Sequence, residues 1–235
     1  MRRVELSLVV PCFNEVLRLP ASLRKAEAYL EGRGGTFELL LVDDGSSDGT
    51  PSLIRDAASV NDHVRGVYLP ANRGKGRALA EGIARSRGEL VLISDADFSV
   101  PIEELPKLEA AIEAGSSIAI GSRAKAGARE VDQPVHRRLM GKSFNLFVQA
   151  LLLPGLWDTQ CGFKLFHGRL ARDLFCVLRT DGFAYDVEVL FLAKKAGCRI
   201  TEVPVRWINS PTSRVQAIRH SREMLSDVLR IRLSR

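Results

Sequence analysis

The sequence lacks the cysteine spacing of a disulfide-bonded scaffold or of a structural zinc site. Its four cysteines form no Cys-x-x-Cys pair, and a chain of 235 residues can bury a sizeable hydrophobic core without such links. It also lacks any stretch of about 20 apolar residues, the length that a membrane-spanning helix needs. The amino-terminal apolar run is too short for a signal peptide. These absences predict reduced cysteine thiols and a cytoplasmic location.

Two common nucleotide-binding motifs are also missing. No Gly-x-Gly-x-x-Gly follows the first apolar run, which argues against a nicotinamide-dependent dehydrogenase. The segment Asn72-Arg73-Gly74-Lys75-Gly76 is not a Walker A loop, because residue 69 is leucine and a glycine follows the lysine. Its glycines still allow backbone N–H groups to approach an anion. An ordinary turn and a phosphate contact are both open interpretations of this loop.

Aromatic residues are scarce, at 6%, whereas positive charge is concentrated in two segments. Residues 121–142 and 212–235 each contain six basic and two acidic residues, a net charge of +4 apiece against +6 for the whole chain. An anionic partner such as a phosphate group or an anionic lipid explains these clusters, and two solvated helix faces are the alternative. Neither segment interleaves aromatic side chains with the basic ones, so we expect no nucleic-acid partner.

The first half of the chain alternates short apolar runs with helical patterns. The runs are nearly continuous, as in strands that are covered on both faces, and comprise residues 6–10, 37–42, 64–69, 90–93 and 117–120. Helix signals lie between them at Thr50-Pro51, 76–87 and 103–113. This order predicts an α/β fold with a doubly wound, mostly parallel sheet and helices on both faces. Ligands of such sheets bind at the carboxyl ends of the strands.

The second half contains two further helical patterns, at 139–152 and 186–196, and a strand pattern at 199–207. Pro204 lies within that strand, which favours an edge position. From about residue 213 the chain has the pattern of a basic amphipathic helix. Because no repeat or flexible linker divides the chain, we expect one large domain over 1–211 and a C-terminal amphipathic helical extension over 212–235.

Acidic residues follow two of the predicted strands. Asp95 and Asp97 are two residues apart at the end of one strand, so both carboxylates can point to the same side. Such an oxygen-rich site suits Mg²⁺ or Mn²⁺ shared with substrate phosphates. Asp43 and Asp44 enter a glycine-containing turn after another strand, where carboxylates can accept hydrogen bonds from a nucleobase or ribose. The alternative for Asp95 and Asp97 is a pair of loop-capping aspartates, and for Asp43 and Asp44 it is ordinary turn chemistry.

These acidic pairs and the lysine-containing loop, with the opening Val10-Pro11-Cys12-Phe13-Asn14-Glu15, resemble glycosyltransferase family 2, whose fold is the GT-A nucleotide-sugar-binding domain. The resemblance implies a catalytic domain over 1–211 that binds a nucleotide-sugar donor. It assigns donor binding to Pro11, Phe13, Glu15, Asp43, Asp44, Lys75, Asp95 and Ala96. It makes Asp97 a catalytic residue and the main metal ligand, with Asp95 beside it and Mg²⁺ or Mn²⁺ as the cofactor.

The second half narrows the resemblance. The stretch Asp-Thr-Gln-Cys-Gly-Phe-Lys-Leu-Phe at 158–166, with 183–188 and 202–205, is similar to the polyprenyl-phosphate branch of the family, and the first stretch is closest to dolichyl-phosphate β-glucosyltransferases. That branch implies transfer of glucose from UDP-glucose to a polyprenyl or dolichyl phosphate. It assigns the acceptor phosphate to three arginines, of which the first two are also catalytic: Arg123, Arg137 and Arg138. The planar fork of arginine suits phosphate because it donates two parallel hydrogen bonds.

A GDP-mannose-dependent mannosyltransferase is the nearest alternative, although Gly141 stands where that branch often has a hydroxyl residue. The others are a family 2 transferase with a soluble hydroxyl acceptor and a non-catalytic module that binds anions or membranes. A phosphate acceptor is already ionised near neutral pH, so it needs no catalytic base. We therefore expect replacement of Asp158 to reduce transfer much less than replacement of Asp97.

A lipid acceptor implies peripheral contact with the cytoplasmic face of the membrane. The helix around 144–152 and the basic helix after residue 212 both have an apolar face, which predicts that they lie in the membrane interface. Packing of either face on the core or on a partner subunit is the alternative. A membrane-protein partner is a second way to anchor the chain.

Overall fold

The computed structural model describes residues 3–131, 135–209 and 217–234, and leaves out the side chains of 135–140, 142 and 217–222. Seven of the described strands form one sheet in the order β3-β2-β1-β4-β7-β5-β8. They are β1 (Leu6–Cys12), β2 (Phe37–Asp43), β3 (Val64–Tyr68), β4 (Leu90–Ile93), β5 (Ile118–Ser122), β7 (Lys164–His167) and β8 (Ile200–Pro204). A small parallel sheet pairs β6 (Arg129–Val131) with β9 (Arg206–Ile208). In the large sheet only β7 runs antiparallel to its neighbours, so the mostly parallel α/β fold is confirmed.

Helices cover both faces of the large sheet. They are α1 (Leu19–Arg33), α2 (Thr50–Val60), α3 (Lys75–Ala84), α4 (Leu105–Glu113), α5 (Val135–Leu151), α6 (Gly168–Cys176), α7 (Tyr185–Lys195) and α8 (Ala217–Ser234). Helices α1, α2 and α4 contribute to the core on one face, and α3 and α5–α8 contribute to the core on the other. Leu8 of β1 belongs to the first core and Val9 to the second. Burial on both faces explains why the strands read as continuous apolar runs.

The predicted strands of the first half agree with β1–β5 to within two residues at each end. Helix α2 begins one residue earlier than predicted, because Gly49 is its N-cap and Thr50 its first residue. A short 3₁₀ turn, Ile102–Glu104, precedes α4. Four elements were not predicted at all: α1, β6, β7 and α6.

The prediction of one continuous strand over 199–207 is wrong. Strand β8 ends at Pro204 and β9 begins at Arg206, so the chain passes here from the large sheet to the small one. Val205 joins the two sheets, because its N–H donates to the Ser122 carbonyl at 3.3 Å and its carbonyl accepts from Arg129 N–H at 3.2 Å. Strand β8 is at the edge of the large sheet, as the proline predicted.

Helix α5 uses its apolar stripe for packing inside the protein. Val148 is fully buried, and Phe144, Phe147 and Leu151 pack against the same core. The prediction that this stripe faces a membrane is therefore wrong, and packing on the core, its alternative, is what the structure has. The physical reason is that the stripe covers the second face of the sheet.

Helix α8 has two apolar faces rather than one. Val228 and Ile231 are buried in the core that α7 also covers, whereas Leu225, Leu229 and Leu233 are exposed. None of the helices in the described part of the chain is long and apolar enough to cross a membrane. The predicted domain boundary between residues 211 and 212 falls outside the described residues and stays a prediction.

Candidate active site

Hydrogen bonds join the loops that follow β1 and β2. Asn14 has a left-handed backbone, with φ of 56°, and its side-chain oxygen accepts from Ser47 N–H at 2.9 Å and Asp48 N–H at 3.3 Å. Glu15 N–H donates to Thr50 Oγ1 at 2.7 Å. Asparagine adopts this backbone more readily than most residues with a side chain. These contacts hold the predicted nucleoside-binding segment in place.

The residues assigned to the nucleoside all lie at this carboxyl edge of the sheet: Pro11, Phe13, Glu15, Asp43 and Asp44. Phe13 is 41% exposed, whereas the three acidic residues are buried. An exposed aromatic ring beside buried acceptors can stack on a base while the acceptors receive hydrogen bonds. The structure brings this predicted group together, and its role stays a prediction.

Asp44 also has a structural role. Its carboxylate accepts hydrogen bonds from the backbone N–H groups of Arg73 and Gly74, both at 2.8 Å. Burial raises the pKa of Asp44 despite these two bonds. Asp44 thereby anchors the 72–76 loop at the same sheet edge, which places Lys75 in the site.

Two glycines allow close approach of the loops around the site. Gly45 has φ of +68°, and a Cβ there would lie 2.4 Å from the carbonyl carbon of Ala71. A Cβ at Gly162 would lie 2.1 Å from Asp95 Oδ2. At Gly45 the neighbour is backbone and φ is positive, so only glycine fits without strain. At Gly162 a Cβ would displace the Asp95 carboxylate, so this glycine lets the 158–166 stretch approach Asp95.

Asp95 lies against a lysine. Lys75 Nζ is 2.5 Å from Asp95 Oδ1, and the ammonium also lies 5.6 Å from the centre of the Tyr185 ring. Burial opposes ionisation of Asp95, but Lys75, and more weakly Lys164 and Arg123, outweigh it and lower the pKa of Asp95. Asp95 is therefore an anion, and the Lys75 ammonium is its counterion.

Asp97 has different partners, although it is only two residues away. Its Oδ1 accepts from the Ser99 N–H at 3.0 Å and the Ser99 hydroxyl at 2.8 Å. Its Oδ2 lies 3.3 Å from Arg18 Nη1. Phe98, between Asp97 and Ser99 in the sequence, has a left-handed backbone with φ of 45°, an uncommon conformation for a bulky residue. The turn therefore holds the Asp97 carboxylate in one orientation.

The acidic pair has the chemistry expected of a small divalent-cation site. Carboxylate oxygens are hard ligands, and Mg²⁺ typically takes only one or two of them, with the remaining positions filled by substrate phosphates and water. In the described part of the chain no three His, Cys, Asp or Glu side chains gather into a complete metal site. The assignment of a cation to Asp97, with Asp95 beside it, stays a prediction.

Arg123 follows β5 and is clamped by Asp158. Its Nε donates to Asp158 Oδ2 at 2.7 Å, its Nη2 donates to Oδ1 at 2.8 Å, and its backbone N–H donates to Oδ2 at 2.8 Å. Burial opposes ionisation of Asp158, but Arg123 outweighs it and lowers the pKa of Asp158. Asp158 thus helps to orient Arg123, and the expectation that its replacement reduces transfer much less than replacement of Asp97 stays a prediction.

Arg137 and Arg138 lie in the first turn of α5, and their side chains lie outside the description. Their predicted approach to Arg123 and to the acceptor phosphate stays a prediction. Of the three predicted acceptor residues, the described side chains therefore include Arg123 alone.

Two contacts join the three stretches of the second half that carry the family resemblance. Lys164 has no exposed surface and forms a buried ion pair with Asp186. Glu202 Oε1 accepts the Asp158 N–H at 2.8 Å. The sequence reasoning assigned no role to these residues or to Arg18. A lysine in the apolar run Gly-Phe-Lys-Leu-Phe was a signal for a buried partner, whereas no local pattern singles out Arg18.

Solved structures with the same fold include glucosyl-3-phosphoglycerate synthase from Mycobacterium tuberculosis. Its complex with Mn²⁺, UDP-glucose and phosphoglyceric acid aligns with a TM-score of 0.75 at 20% identity, covering 97% of this chain and 80% of that one. Another structure, described as a mycobacterial protein, aligns with a TM-score of 0.74 at 22% identity, covering 97% and 74%. At these identities the similarity shows the fold, which is the predicted GT-A type.

Sequence comparison identifies the family. The model described as "Glycosyl transferase family 2" matches residues 7–175. The dolichyl-phosphate β-glucosyltransferases of Homo sapiens and Dictyostelium discoideum are 37% and 34% identical, each over 97% of this chain and over 75% and 74% of their own lengths. The Saccharomyces cerevisiae enzyme of the same name is 32% identical over 97% of this chain and 74% of its own. The chain therefore belongs to glycosyl transferase family 2.

Proposed function

We propose that this protein transfers glucose from UDP-glucose to a polyprenyl or dolichyl phosphate, with inversion at the sugar. The observation that carries the proposal is the meeting of two kinds of group at one sheet edge. Asp95 and Asp97 follow β4. Arg123, which follows β5, is held by Asp158. Gly162, in the same stretch as Asp158, approaches Asp95. The named activity of the relatives supports the sugar and the acceptor. The synthase complex supports UDP-glucose and Mn²⁺.

The donor would lie along the carboxyl ends of β1, β2 and β4. Phe13, Glu15 and Asp43 would contact the base and ribose, since Phe13 and Glu15 flank Asn14 and Asp43 ends the strand before the loop that Asn14 holds. Lys75 lies against Asp95 and would turn part of that ion pair toward the donor diphosphate. The lysine ammonium would then lie beside the most negatively charged part of the donor.

Asp97 would hold one Mg²⁺ or Mn²⁺, with Asp95 beside it. When bound, the cation offsets the negative charge that grows on the departing diphosphate. Asp97 is prepared for this role because Ser99 orients one of its oxygens. Preorganised charge of this kind stabilises the transition state without reorganisation during the reaction.

Arg123 would bind the acceptor phosphate. A phosphate monoester has a second pKa of about 6, so it is already an anionic nucleophile at neutral pH. An acceptor oxygen forms the new bond to the anomeric carbon while the bond from that carbon to UDP breaks, and UDP leaves with the bonding electrons. Arg123 positions this oxygen and reduces its repulsion from the donor, so no general base is needed.

The lipid acceptor requires contact with a membrane surface. The three exposed leucines of α8 and the basic residues of its sequence would make a peripheral contact at the cytoplasmic face. A membrane-protein partner remains part of the proposal only as a second anchor.

The test is a transfer assay with the full chain, a polyprenyl phosphate, Mn²⁺ or Mg²⁺, and radiolabelled UDP-glucose or GDP-mannose. We expect label from UDP-glucose in the organic phase, its loss with a chelator, and recovery on adding the metal. Asp97→Asn should reduce transfer at least about a hundredfold, whereas Asp56→Asn, on the exposed face of α2, should not.

Other outcomes identify the alternatives. Label from GDP-mannose alone would favour a mannosyltransferase, and label in a water-soluble product would favour a hydroxyl acceptor. A protein that binds vesicles but transfers sugar from neither donor would favour the non-catalytic module.

A further inference from the structure

Arg18 connects a predicted nucleoside contact to the predicted metal ligand. It lies at the amino-terminal end of α1, with a side chain that is 19% exposed. Its Nε donates to Glu15 Oε2 at 2.7 Å and its Nη2 contacts Glu15 Oε1. Its Nη1 lies 3.3 Å from Asp97 Oδ2. One guanidinium therefore bridges the loop after β1 and the acid after β4.

The two ends of this bridge differ in strength. The contact with Glu15 is a two-point, fork-to-fork ion pair, which is the stronger and more directional kind. The contact with Asp97 is single and long. Glu15 therefore keeps Arg18 in the site, while Nη1 can change its partner without loss of that anchor.

A cation on Asp97 would compete with this contact. Ser99 already donates two hydrogen bonds to Asp97 Oδ1, and among the described residues Arg18 Nη1 is the positive group on the remaining oxygen. A divalent ion bound to Asp97 would lie close to a guanidinium of like charge, and the repulsion is strong where water is partly excluded. Burial works against the charged guanidinium, but Glu15, Asp97 and Asp95 outweigh it and raise the pKa of Arg18, which stays positive.

The donor diphosphate would give Arg18 Nη1 a new anionic partner in place of Asp97, which the cation alone does not. We propose that Arg18 is a positioning residue that couples metal binding to donor binding. Arg18 holds Asp97 until an oxygen of a nucleotide diphosphate accepts a hydrogen bond from Arg18 Nη1. This inference rests on the proposed function. By linkage, UDP must tighten metal binding by the same factor as the metal tightens UDP binding.

The test measures Mn²⁺ binding to the full chain by calorimetry, with and without saturating UDP. In the wild-type protein UDP should tighten Mn²⁺ binding at least about fivefold, the lower end of typical couplings. In Arg18→Gln, Mn²⁺ alone should bind tighter than in wild type, and the enhancement by UDP should fall to less than half. Arg18→Lys keeps the charge but loses the fork, so it should retain more of the enhancement than Arg18→Gln.

Arg24→Gln is the matched control, because it removes the same charge from an exposed position of the same helix. It should leave both Mn²⁺ titrations as in wild type. Thermal unfolding of each variant checks that the fold is retained. If Arg18→Gln weakens Mn²⁺ binding equally with and without UDP, Arg18 merely supports the loop and the inference is wrong. If wild-type protein binds neither Mn²⁺ nor UDP, the proposed function itself fails, and the inference fails with it.

Discussion

Three acidic side chains of the site each lie against a basic one, in the pairs Asp95–Lys75, Asp97–Arg18 and Asp158–Arg123. In each pair at least one partner is partly exposed. A phosphate-rich substrate can therefore exchange places with a carboxylate as the partner of a basic group that is already in position. This arrangement keeps the charged groups stable in the protein and ready for anions.

Asp158 provides the residue-scale prediction. Asp158→Asn should raise the KM for the acceptor phosphate at least about tenfold, because Arg123 loses the two-point partner that orients it. The affinity for UDP should change little, since the hydrogen bonds of Arg123 go to Asp158 and not to a residue of the proposed donor site. Steady-state kinetics and UDP calorimetry measure the two quantities.

Asp173→Asn, at an exposed position of α6, is the matched control and should have no effect. An unchanged acceptor KM in Asp158→Asn would show that Arg123 does not bind the acceptor. A parallel loss of UDP affinity would show a wider structural change instead.

At the scale of elements, sequence pattern predicted the strands that are buried on both faces and missed those defined by distant pairing. Strand β7 is short and runs between β4 and β5, so its pairing depends on residues more than 40 positions away. Strands β8 and β9 read as one because Val203, Val205 and Trp207 continue one alternating apolar pattern across the point where Val205 joins the two sheets. Periodicity along one segment does not contain such information.

The candidate site was predictable to a similar degree. Acidic residues at strand ends indicated the sheet edge and the metal chemistry, because parallel strands bring their carboxyl ends together. Partner choice was not predictable. Nothing near Arg18 in the sequence indicates its contact with Asp97, and nothing near Asp158 indicates Arg123, since these partners are 79 and 35 residues away.

Helix α8 provides the element-scale prediction. Replacing Leu225, Leu229 and Leu233 together by Gln should reduce the vesicle-bound fraction at least about tenfold, because three apolar side chains would no longer enter the lipid. Flotation with anionic vesicles measures it. Deleting the helix is a poorer test, because Val228 and Ile231 belong to the core and their loss would destabilise the fold.

Val60→Gln is the control for this experiment, since it removes an exposed apolar side chain from the far end of α2. It should float like the wild-type protein. Unchanged flotation of the triple variant, with the fold intact, would show that the leucine stripe does not contact the membrane.

At the scale of the whole molecule, the candidate site and a buried stabilising cluster lie at opposite ends of the large sheet. At the amino end of the sheet, opposite the site, Glu38 is buried among four donors. It accepts from Ser7 Oγ at 2.7 Å, Arg65 Nη1 at 2.7 Å, and the Arg87 N–H and Nε at 2.6 and 2.9 Å. Burial opposes ionisation of Glu38, but these donors outweigh it and lower the pKa of Glu38.

Glu38→Gln should therefore lower the free energy of unfolding by about 2 kcal/mol at pH 7 and leave sugar transfer unchanged. A carboxyl group whose pKa is lowered by folding contributes stability above its unfolded pKa of about 4.3, and loses it as pH falls through the lower folded value. The difference between wild type and variant should accordingly shrink as pH falls below about 4.

Urea unfolding at a series of pH values measures this difference, with Glu113→Gln, exposed at the end of α4, as the control. A gap that stays constant with pH would mean that packing, rather than the charge of Glu38, stabilises this end of the sheet.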